Sequence, residues 1–250
     1  MRVGLIGSGN MASALARGWG EPVLCTDAIP ERAQALGAET GGEALSSNAL
    51  LAERADVVFL CHKPDQLDAI AAAVADAEHG PAIVSILGGV PLDALRRAYP
   101  GQPVIRLMPN VAVEVGEGVI CIAEESDDVD GVRELLERGA TVVRIPEKLI
   151  EVATAVMGVG PAYVSLFVEA QVDAAVRLGM PPDLAAQLAT ATASGTAALI
   201  AARGYDTLAV RRAVTSPGGS TARGLAALEE GGLRAAFQAA AEAVVYGARP

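Results

Sequence analysis

The chain has 250 residues, 52% of them apolar, and a formal net charge of -11. This length accommodates one large domain or two of ordinary size, and the apolar fraction is enough for a substantial core. The acidic balance argues against nucleic acid and anionic membrane surfaces as partners. Aromatic residues make up only 3% of the chain, so we expect helices to pack closely through small side chains.

The cysteines of the chain are Cys25, Cys61 and Cys121, and all three fall in apolar, strand-like runs. Their spacing matches neither a metal site nor a disulfide framework. Buried, reduced thiols are typical of a cytosolic protein, so we expect no metal and a cytoplasmic location. No signal peptide is apparent, because the N-terminus leads directly into an apolar strand.

An apolar strand at residues 3–6 runs into a glycine turn and then into a helix of small residues. The turn, residues 7–12 (GSGNMA), has the G-x-G-x-x-A form of the dinucleotide-binding fingerprint. Gly7 permits the tight turn, Gly9 lets the backbone approach a pyrophosphate, and Ala12 lets helix and strand pack closely. The helix N-terminus offers free N–H groups to the phosphates. A structural strand–turn–helix with incidental glycines is the alternative.

An acidic residue, Asp27, follows the next apolar run, about 20 residues after the first glycine. A carboxylate at this position accepts hydrogen bonds from the ribose hydroxyls of a dinucleotide and repels a 2′-phosphate. The next residue, Ala28, supplies no cation, and Arg32 is the only nearby one. We therefore expect the cofactor to be NADH in preference to NADPH.

The first part of the chain alternates strands and helices. Strands are predicted at residues 2–6, 23–26, 57–61, 83–87, 104–108, 118–123 and 141–145, and helices at residues 10–19, 31–36, 44–53, 65–77, 92–98 and 130–138. Such alternation is typical of an α/β fold with a parallel, Rossmann-type doubly wound sheet that is covered by helices on both faces. Ligands bind these sheets at the carboxyl ends of the strands.

Three predicted strands end in polar residues or glycine. Lys63 and Pro64 follow the third strand, Gly88 follows the fourth, and Asn110 follows the fifth. The glycine lets a ligand approach the backbone, and Lys63 and Asn110 offer hydrogen-bond donors to a cofactor or substrate. Ordinary turn chemistry is the alternative for each of them.

The pattern changes near Pro146, so we divide the chain into a dinucleotide-binding domain, residues 1–146, and a helical domain, residues 147–250. Helices are predicted at residues 147–157, 161–178, 182–203, 208–214, 221–229 and 233–246, with no convincing strand. The most apolar run, residues 184–202, is interrupted by glutamine, serine and threonine, which favours a buried soluble helix over a membrane span.

Several of these helices have apolar or small residues on every face, and a helix without a polar face must be buried. Roughly 100 residues form only a modest domain for so many buried faces. We therefore expect a dimer built through residues 147–250. A compact monomeric bundle is the alternative.

A second glycine turn lies within residues 214–225, where a Pro-Gly-Gly sequence opens a helix between hydroxyl side chains. Consecutive backbone N–H groups at such a turn form an anion-binding nest. Ser216, Ser220 and Thr221 offer further hydrogen bonds, so the turn suits a small carboxylate. A plain helix N-cap formed by Ser220 or Thr221 is the alternative.

The order of these motifs resembles that of the pyrroline-5-carboxylate reductase family, which catalyses the last step of proline biosynthesis. The resemblance runs nearly end to end and is carried by residues 7–12, Asn48, residues 63–64, 106–110, 158–163, 177–181 and 215–225. The last of these stretches is the most specific.

The resemblance implies NAD(P)H-dependent reduction of 1-pyrroline-5-carboxylate to L-proline by an oligomer of dimers that interlock through the helical domain. It implies that the cofactor is bound by Gly7, Gly9, Asn10, Met11 and Ala12 at the pyrophosphate, Asn48 at the adenosine ribose, Lys63, Pro64 and Gly88 in the cleft, and Asn110 near the nicotinamide. It implies that the substrate carboxylate is bound by Ser216, Gly218, Gly219, Ser220 and Thr221, with Thr221, the catalytic candidate, near the ring nitrogen.

The chain departs from the family pattern in three places. Met157 and Val159 replace two serines, and Val111 and Ala112 replace a Thr-Pro pair. A glutamate is also absent around residues 203–205. Two alternatives therefore stay open: a reductase of another cyclic imine, and a non-catalytic NAD(P)H-binding dimer that senses redox state.

The titratable residues fit an imine better than a ketone as the substrate. Reduction of a ketone creates an alkoxide, which needs a nearby proton donor. The lysines, Lys63 and Lys148, do not suit that position, and both histidines, His62 and His79, lie in the first domain. A protonated imine becomes a neutral amine on reduction, so it needs mainly orientation and a carboxylate anchor.

Overall fold

The computed structural model describes residues 1–75 and 80–247. The chain divides into two compact units, Met1–Pro161 and Ala162–Pro250. His79 and the last two residues of the predicted helix 65–77 lie outside the described residues.

An eight-stranded sheet forms the centre of the first unit, in the order β3-β2-β1-β4-β5-β6-β7-β8. Its strands are β1 (Val3–Ile6), β2 (Leu24–Thr26), β3 (Glu43–Ala44), β4 (Val57–Leu60), β5 (Ala82–Ser85), β6 (Val104–Pro109), β7 (Gly118–Ala123) and β8 (Ala140–Ile145). The strand order reverses at β1, which pairs with β2 on one side and β4 on the other. Open α/β sheets bind ligands at such a switch point.

The predicted parallel sheet is confirmed with one exception, because β7 runs antiparallel to β6. Only a short 3₁₀ turn, Val111–Val115, lies between these two strands. A parallel pair needs a crossover connection of about a dozen residues or more, so this short connection makes a hairpin. Strands β7 and β8 are joined through a helix and pair in parallel.

Within the described residues, seven helices accompany the sheet: α1 (Asn10–Trp19), α2 (Pro30–Thr40), α3 (Asn48–Arg54), α4 (Leu67–Ala75), α5 (Leu92–Ala98), α6 (Val132–Glu137) and α7 (Ile150–Ala153). The prediction of one helix over residues 44–53 is wrong at its start. Ala44 pairs with β2, and Ser47 is the N-cap of α3, since its hydroxyl accepts a hydrogen bond from the Leu50 N–H.

The core of the first unit lies in two layers, one on each face of the sheet. Leu5, Phe59 and Val84 belong to one buried cluster, and the alternate residues Ile6 and Leu60 belong to the other. Successive side chains of a strand point to opposite faces, so this division is that of a doubly wound sheet.

The second unit consists of helices, beginning with α8 (Gly160–Arg177), which starts at the unit boundary, followed by α9 (Pro182–Ala202), α10 (Thr207–Ala213), α11 (Ser220–Glu230) and α12 (Leu233–Tyr246). The apolar helices of this unit are not buried by the chain itself, so their predicted burial needs a partner subunit. No residue of α8 is buried, and in α9 only Ala185 and Ala189 are. The stretches Glu147–Arg177 and Pro182–Ala202 are long and apolar enough to cross a membrane by length and composition. So short a unit has too little chain to cover these faces.

Candidate functional site

An open cleft of about 1100 Å³ lies at the carboxyl ends of β1, β2 and β4. Seven of the predicted cofactor residues line it: Gly7, Gly9, Asn10, Met11, Asp27, Asn48 and Lys63. Ala12 is buried, as its predicted packing role requires. Pro64, Gly88 and Asn110 lie outside the lining of this cleft, so their contacts with a cofactor stay predictions.

The glycine turn after β1 is held by the neighbouring strands. Gly7 has a positive φ of +98°, and a Cβ atom there would lie 2.7 Å from the carbonyl oxygen of Cys61. Its N–H donates to the carbonyl of Thr26 at 2.9 Å. Only glycine fits this position, because a side chain would meet both an unfavourable conformation and the backbone of the strand end beside it.

Gly9 has the opposite surroundings, since a Cβ atom there would have no heavy atom within 4 Å. Gly9 is also the N-cap of α1, and no side chain caps this helix. A ligand can therefore reach the backbone N–H groups in the first turn of α1 without meeting a side chain at Gly9. A pyrophosphate fits such a helix terminus, which supplies both donors and a positive dipole end.

Asp27 joins the glycine turn to the end of β2. One carboxylate oxygen accepts from the Ser8 N–H at 2.7 Å, and the other accepts from the Ile29 N–H at 2.8 Å. Each oxygen retains a further lone pair, so the carboxylate also suits the ribose hydroxyls of a dinucleotide. Asp27 therefore has a structural bond to the turn besides its predicted role in cofactor binding.

A buried hydroxyl orients the amide of Asn48. Thr26 Oγ1 donates to Asn48 Oδ1 at 2.7 Å, and Thr26 is only 5% exposed. The Asn48 NH₂ group is left to donate in another direction, which suits a ribose oxygen. The sequence analysis missed Thr26, although a hydroxyl residue that ends an apolar strand was a usable signal.

His62 and Cys61 also line the cleft, where the ring of His62 does not suit a proton donor and the thiol of Cys61 does not suit a nucleophile. Burial lowers the pKa of His62, so the ring is neutral at pH 7, and its Nδ1 lies 2.7 Å from the Lys63 carbonyl. This distance assigns the ring proton to Nδ1. Burial raises the pKa of the Cys61 thiol to about 12, which keeps it protonated.

A buried arginine in the middle of β6 holds the segment that follows β8. Arg106 is 5% exposed, and its guanidinium donates to Glu147 at 2.8 Å and to Glu151 at 2.7 Å. Glu147 also accepts from the Leu92 N–H at 2.7 Å. Burial opposes the charge of this carboxylate, but the Leu92 and Arg106 bonds hold the pKa of Glu147 below its usual value.

The second glycine turn lies in the other unit and leads into α11. Gly218 has a positive φ of +70°, and Gly219, not Ser220 or Thr221, is the N-cap of α11, without a side-chain cap. The alternative, a plain N-cap formed by Ser220 or Thr221, is therefore excluded. The first N–H groups of α11 are therefore available to a ligand, and Ser216 has its hydroxyl beside Gly219.

Side chains support this second turn. Thr215 Oγ1 donates to the Arg211 carbonyl at 2.6 Å, and Arg223 donates to the Gly218 carbonyl at 2.8 Å. Gly219 N–H donates to the Ser216 carbonyl at 3.1 Å. The arrangement can bind a small carboxylate, although the assignment of Thr221 and its neighbours to the substrate stays a prediction.

Two family models match the chain. One, described as pyrroline-5-carboxylate reductase dimerisation, matches residues 147–249, and the other, described as NADP oxidoreductase coenzyme F420-dependent, matches residues 2–89. The helical region is thus similar to a dimerisation domain, and most of the cleft lies in a region similar to NADP oxidoreductases.

Relatives of known name cover nearly the whole chain. Pyrroline-5-carboxylate reductase from a Synechocystis species is 35% identical over 248 residues, which are 95% of this chain and 93% of the relative. The solved pyrroline carboxylate reductase of Plasmodium falciparum, with NADP bound, is 26% identical with a TM-score of 0.85 and covers 99% of this chain and 98% of its own. The solved 1-pyrroline-5-carboxylate reductase of Streptococcus pyogenes is 26% identical, with a TM-score of 0.88. The match covers 98% of this chain and 96% of that relative.

These similarities agree with the doubly wound sheet, the glycine fingerprint that lines the cleft, and the second glycine turn at α11. They confirm the resemblance on which the sequence analysis relied and support a nicotinamide dinucleotide as the cofactor. The chain therefore belongs to the pyrroline-5-carboxylate reductase family.

Proposed function

We propose that this chain reduces 1-pyrroline-5-carboxylate to L-proline in the cytoplasm. When bound, the reduced nicotinamide dinucleotide supplies a hydride to the imine carbon of the substrate. The imine nitrogen already carries its proton, so its double bond to carbon becomes a single bond and the product is a neutral amine. Similarity to a reductase of this name over 95% of the chain is the observation that carries the proposal.

The cleft of the first unit offers the groups that a dinucleotide needs. The uncapped first turn of α1 and the open approach at Gly9 suit the pyrophosphate. The Asn48 NH₂ group and the Asp27 carboxylate suit the adenosine ribose, one as donor and the other as acceptor. Lys63 adds a positive charge to the same cleft wall.

The turn before α11 offers the groups that the imino-acid carboxylate needs. The N–H groups of Ser220 and Thr221 begin a helix without a side-chain cap, and Ser216 adds a hydroxyl. We assign the Thr221 hydroxyl to the ring nitrogen of the substrate. Most of the contribution of the protein is then orientation, because a protonated imine is electrophilic without further activation.

We propose that NADH is preferred over NADPH. Asp27 favours an unmodified ribose and repels a 2′-phosphate, whereas the exposed Arg32 in the same cleft wall favours the phosphate. The Plasmodium falciparum relative binds NADP, so the balance between these two charges needs a direct measurement. Higher kcat/KM with NADH at equal cofactor concentrations is expected, and a strong NADPH preference would overturn the proposal.

We also propose that residues 147–250 form the dimer and assemble dimers into higher oligomers. Leu166 and Phe167 on α8 are 63% and 42% exposed in the single chain, and exposed apolar patches of this kind are typical of protein–protein interfaces. Leu166→Glu should lower the mass in light scattering to that of a monomer. Val115→Glu, which alters an apolar residue of the first unit that is 75% exposed, should leave the mass unchanged.

The activity is tested by mixing the purified protein, reduced cofactor and 1-pyrroline-5-carboxylate while the nicotinamide absorbance is followed. Oxidation of the cofactor with formation of proline is expected. Activity only on another ring, such as a six-membered cyclic imine, would replace the substrate. Tight NADH binding without oxidation by any imine would instead support the non-catalytic dimer.

A further inference from the structure

The segment that leads from the sheet into α8 is a π-helical turn, Thr154–Gly158. The Val159 N–H donates to the Thr154 carbonyl at 3.0 Å, five residues back instead of four. Such turns are uncommon and frequently occur at functional sites, because they leave a helix carbonyl available to a partner outside the helix.

The carbonyl of Met157 has such a partner. Four residues further on, where a helix normally supplies the donor, the chain has Pro161, which has no N–H and whose ring crowds that carbonyl. Asn110 Nδ2 donates to the Met157 oxygen at 3.1 Å in its place. The side chain of Asn110 thus replaces the hydrogen bond that the proline removes.

The other end of the Asn110 amide is also engaged. Asn110 Oδ1 accepts from the Val119 N–H of β7 at 3.1 Å, and the residue is only 7% exposed. The amide therefore joins the β6–β7 hairpin to the π-helical turn. Arg106, four residues before Asn110 and within β6, holds Glu147 and Glu151 of the preceding segment. β6 and the residue that follows it therefore anchor this connection at both ends.

We propose that Asn110 is a positioning residue that fixes the path of residues 154–161 by replacing the missing N–H of Pro161. The consequence for turnover rests on the proposed function. These residues are the covalent connection between the unit with the nucleotide cleft and the helices that include the carboxylate turn. Hydride transfer depends steeply on the placement of its reactants, so a loosened connection lowers kcat more than it raises the KM of the cofactor.

The test is a double-mutant cycle with Asn110→Ala and Pro161→Ala. The alanine at position 161 restores a backbone N–H four residues after Met157, while its carbonyl stays in place. Asn110→Ala should lower kcat about tenfold with less than a twofold change in the KM of the cofactor, and should speed hydrogen exchange of residues 158–162. Pro161→Ala alone should have little effect, and the double variant should recover most of the kcat and of the exchange protection.

Asn110→Asp provides the second variant if Asn110→Ala does not fold, because the carboxylate still accepts from the Val119 N–H but cannot donate to Met157. Normal kcat and exchange in the Asn110 variants would overturn the proposal. A raised cofactor KM that Pro161→Ala does not rescue would also overturn it, in favour of direct contact with the nicotinamide. If the wild-type chain reduces no imine, the proposed function fails, and hydrogen exchange still tests the role of Asn110.

Discussion

The glycine turns before α1 and α11, one in each compact unit, differ in what holds them. The turn before α1 is enclosed by backbone, since a Cβ atom on Gly7 would lie 2.7 Å from the Cys61 carbonyl. The turn before α11 is held by side chains, through the hydrogen bonds of Thr215 and Arg223. Both helices lack a side-chain cap, so both offer N–H groups to an anion.

The difference predicts how each turn responds to mutation. A side chain at Gly7 in the first turn affects the fold, because the Cys61 backbone at the end of β4 must move. Changes around the second turn affect substrate binding and leave the fold largely intact, because the groups involved are side chains at or near the surface. This distinction is wrong if mutations in the two turns lower the free energy of unfolding by the same amount.

The largest effect is expected for Gly7→Ala. The positive φ and the overlap with the Cys61 backbone should lower the free energy of unfolding by at least about 2 kcal/mol, measured by thermal or urea unfolding. Gly9→Ala is the matched control, because a Cβ atom there meets no heavy atom within 4 Å. That variant should fold normally and raise the KM of the cofactor; equal stability of the two variants would contradict this account.

Gly219→Ala should reduce substrate binding without unfolding the protein. Its backbone is extended, which alanine tolerates, but the added Cβ atom would overlap Ser216 Oγ. The Ser216 hydroxyl would then move away from the position that it has beside the N–H groups. Loss of its hydrogen bond to the substrate carboxylate should raise the substrate KM about tenfold or more. An unchanged substrate KM in steady-state assays would remove the carboxylate from this turn.

Asp27→Asn should change the cofactor preference more than the stability. The substitution removes the charge that repels a 2′-phosphate and retains one oxygen as an acceptor, so the ratio of kcat/KM for NADPH to that for NADH should rise about tenfold. Arg32→Met should move the ratio in the opposite direction. A severe loss of stability in Asp27→Asn would show that the Asp27 bonds to Ser8 and Ile29 hold the first turn. That result would contradict the claim that backbone contacts hold this turn.

The smallest effect is expected for Arg223→Met. This variant loses the bond to the Gly218 carbonyl, so the turn becomes less ordered and the substrate KM should rise roughly two- to fivefold. Arg234→Met is the control, because Arg234 pairs with Glu229 in the same unit and makes no bond to the turn. Equal KM changes in the two variants would assign the effect to net charge alone.

The sequence predicted the parts of the fold that local patterns encode. The glycine fingerprint, the apolar strands and the helix at α11 all depend on residues close together in the chain. The two-residue strand β3 was missed, because it is too short for any periodicity and exists only by pairing with β2.

Contacts between distant residues could not be predicted in this way. The Arg106 bonds to Glu147 and Glu151 span 41 and 45 residues, and the only sequence signal was a charge within an apolar strand. The burial of α8 and α9 was predicted from composition, yet composition does not say whether the same chain or another one covers an apolar face.

The central claim is that the chain combines a nucleotide cleft with a carboxylate-binding turn to reduce 1-pyrroline-5-carboxylate. The most direct measurement compares cofactor oxidation by the wild type and by Gly219→Ala across a range of substrate concentrations, with cofactor affinity measured in both. We predict reduction by the wild type, a raised substrate KM in the variant and equal cofactor affinities. Absence of proline formation by the wild type, or equal substrate KM values, would contradict the account.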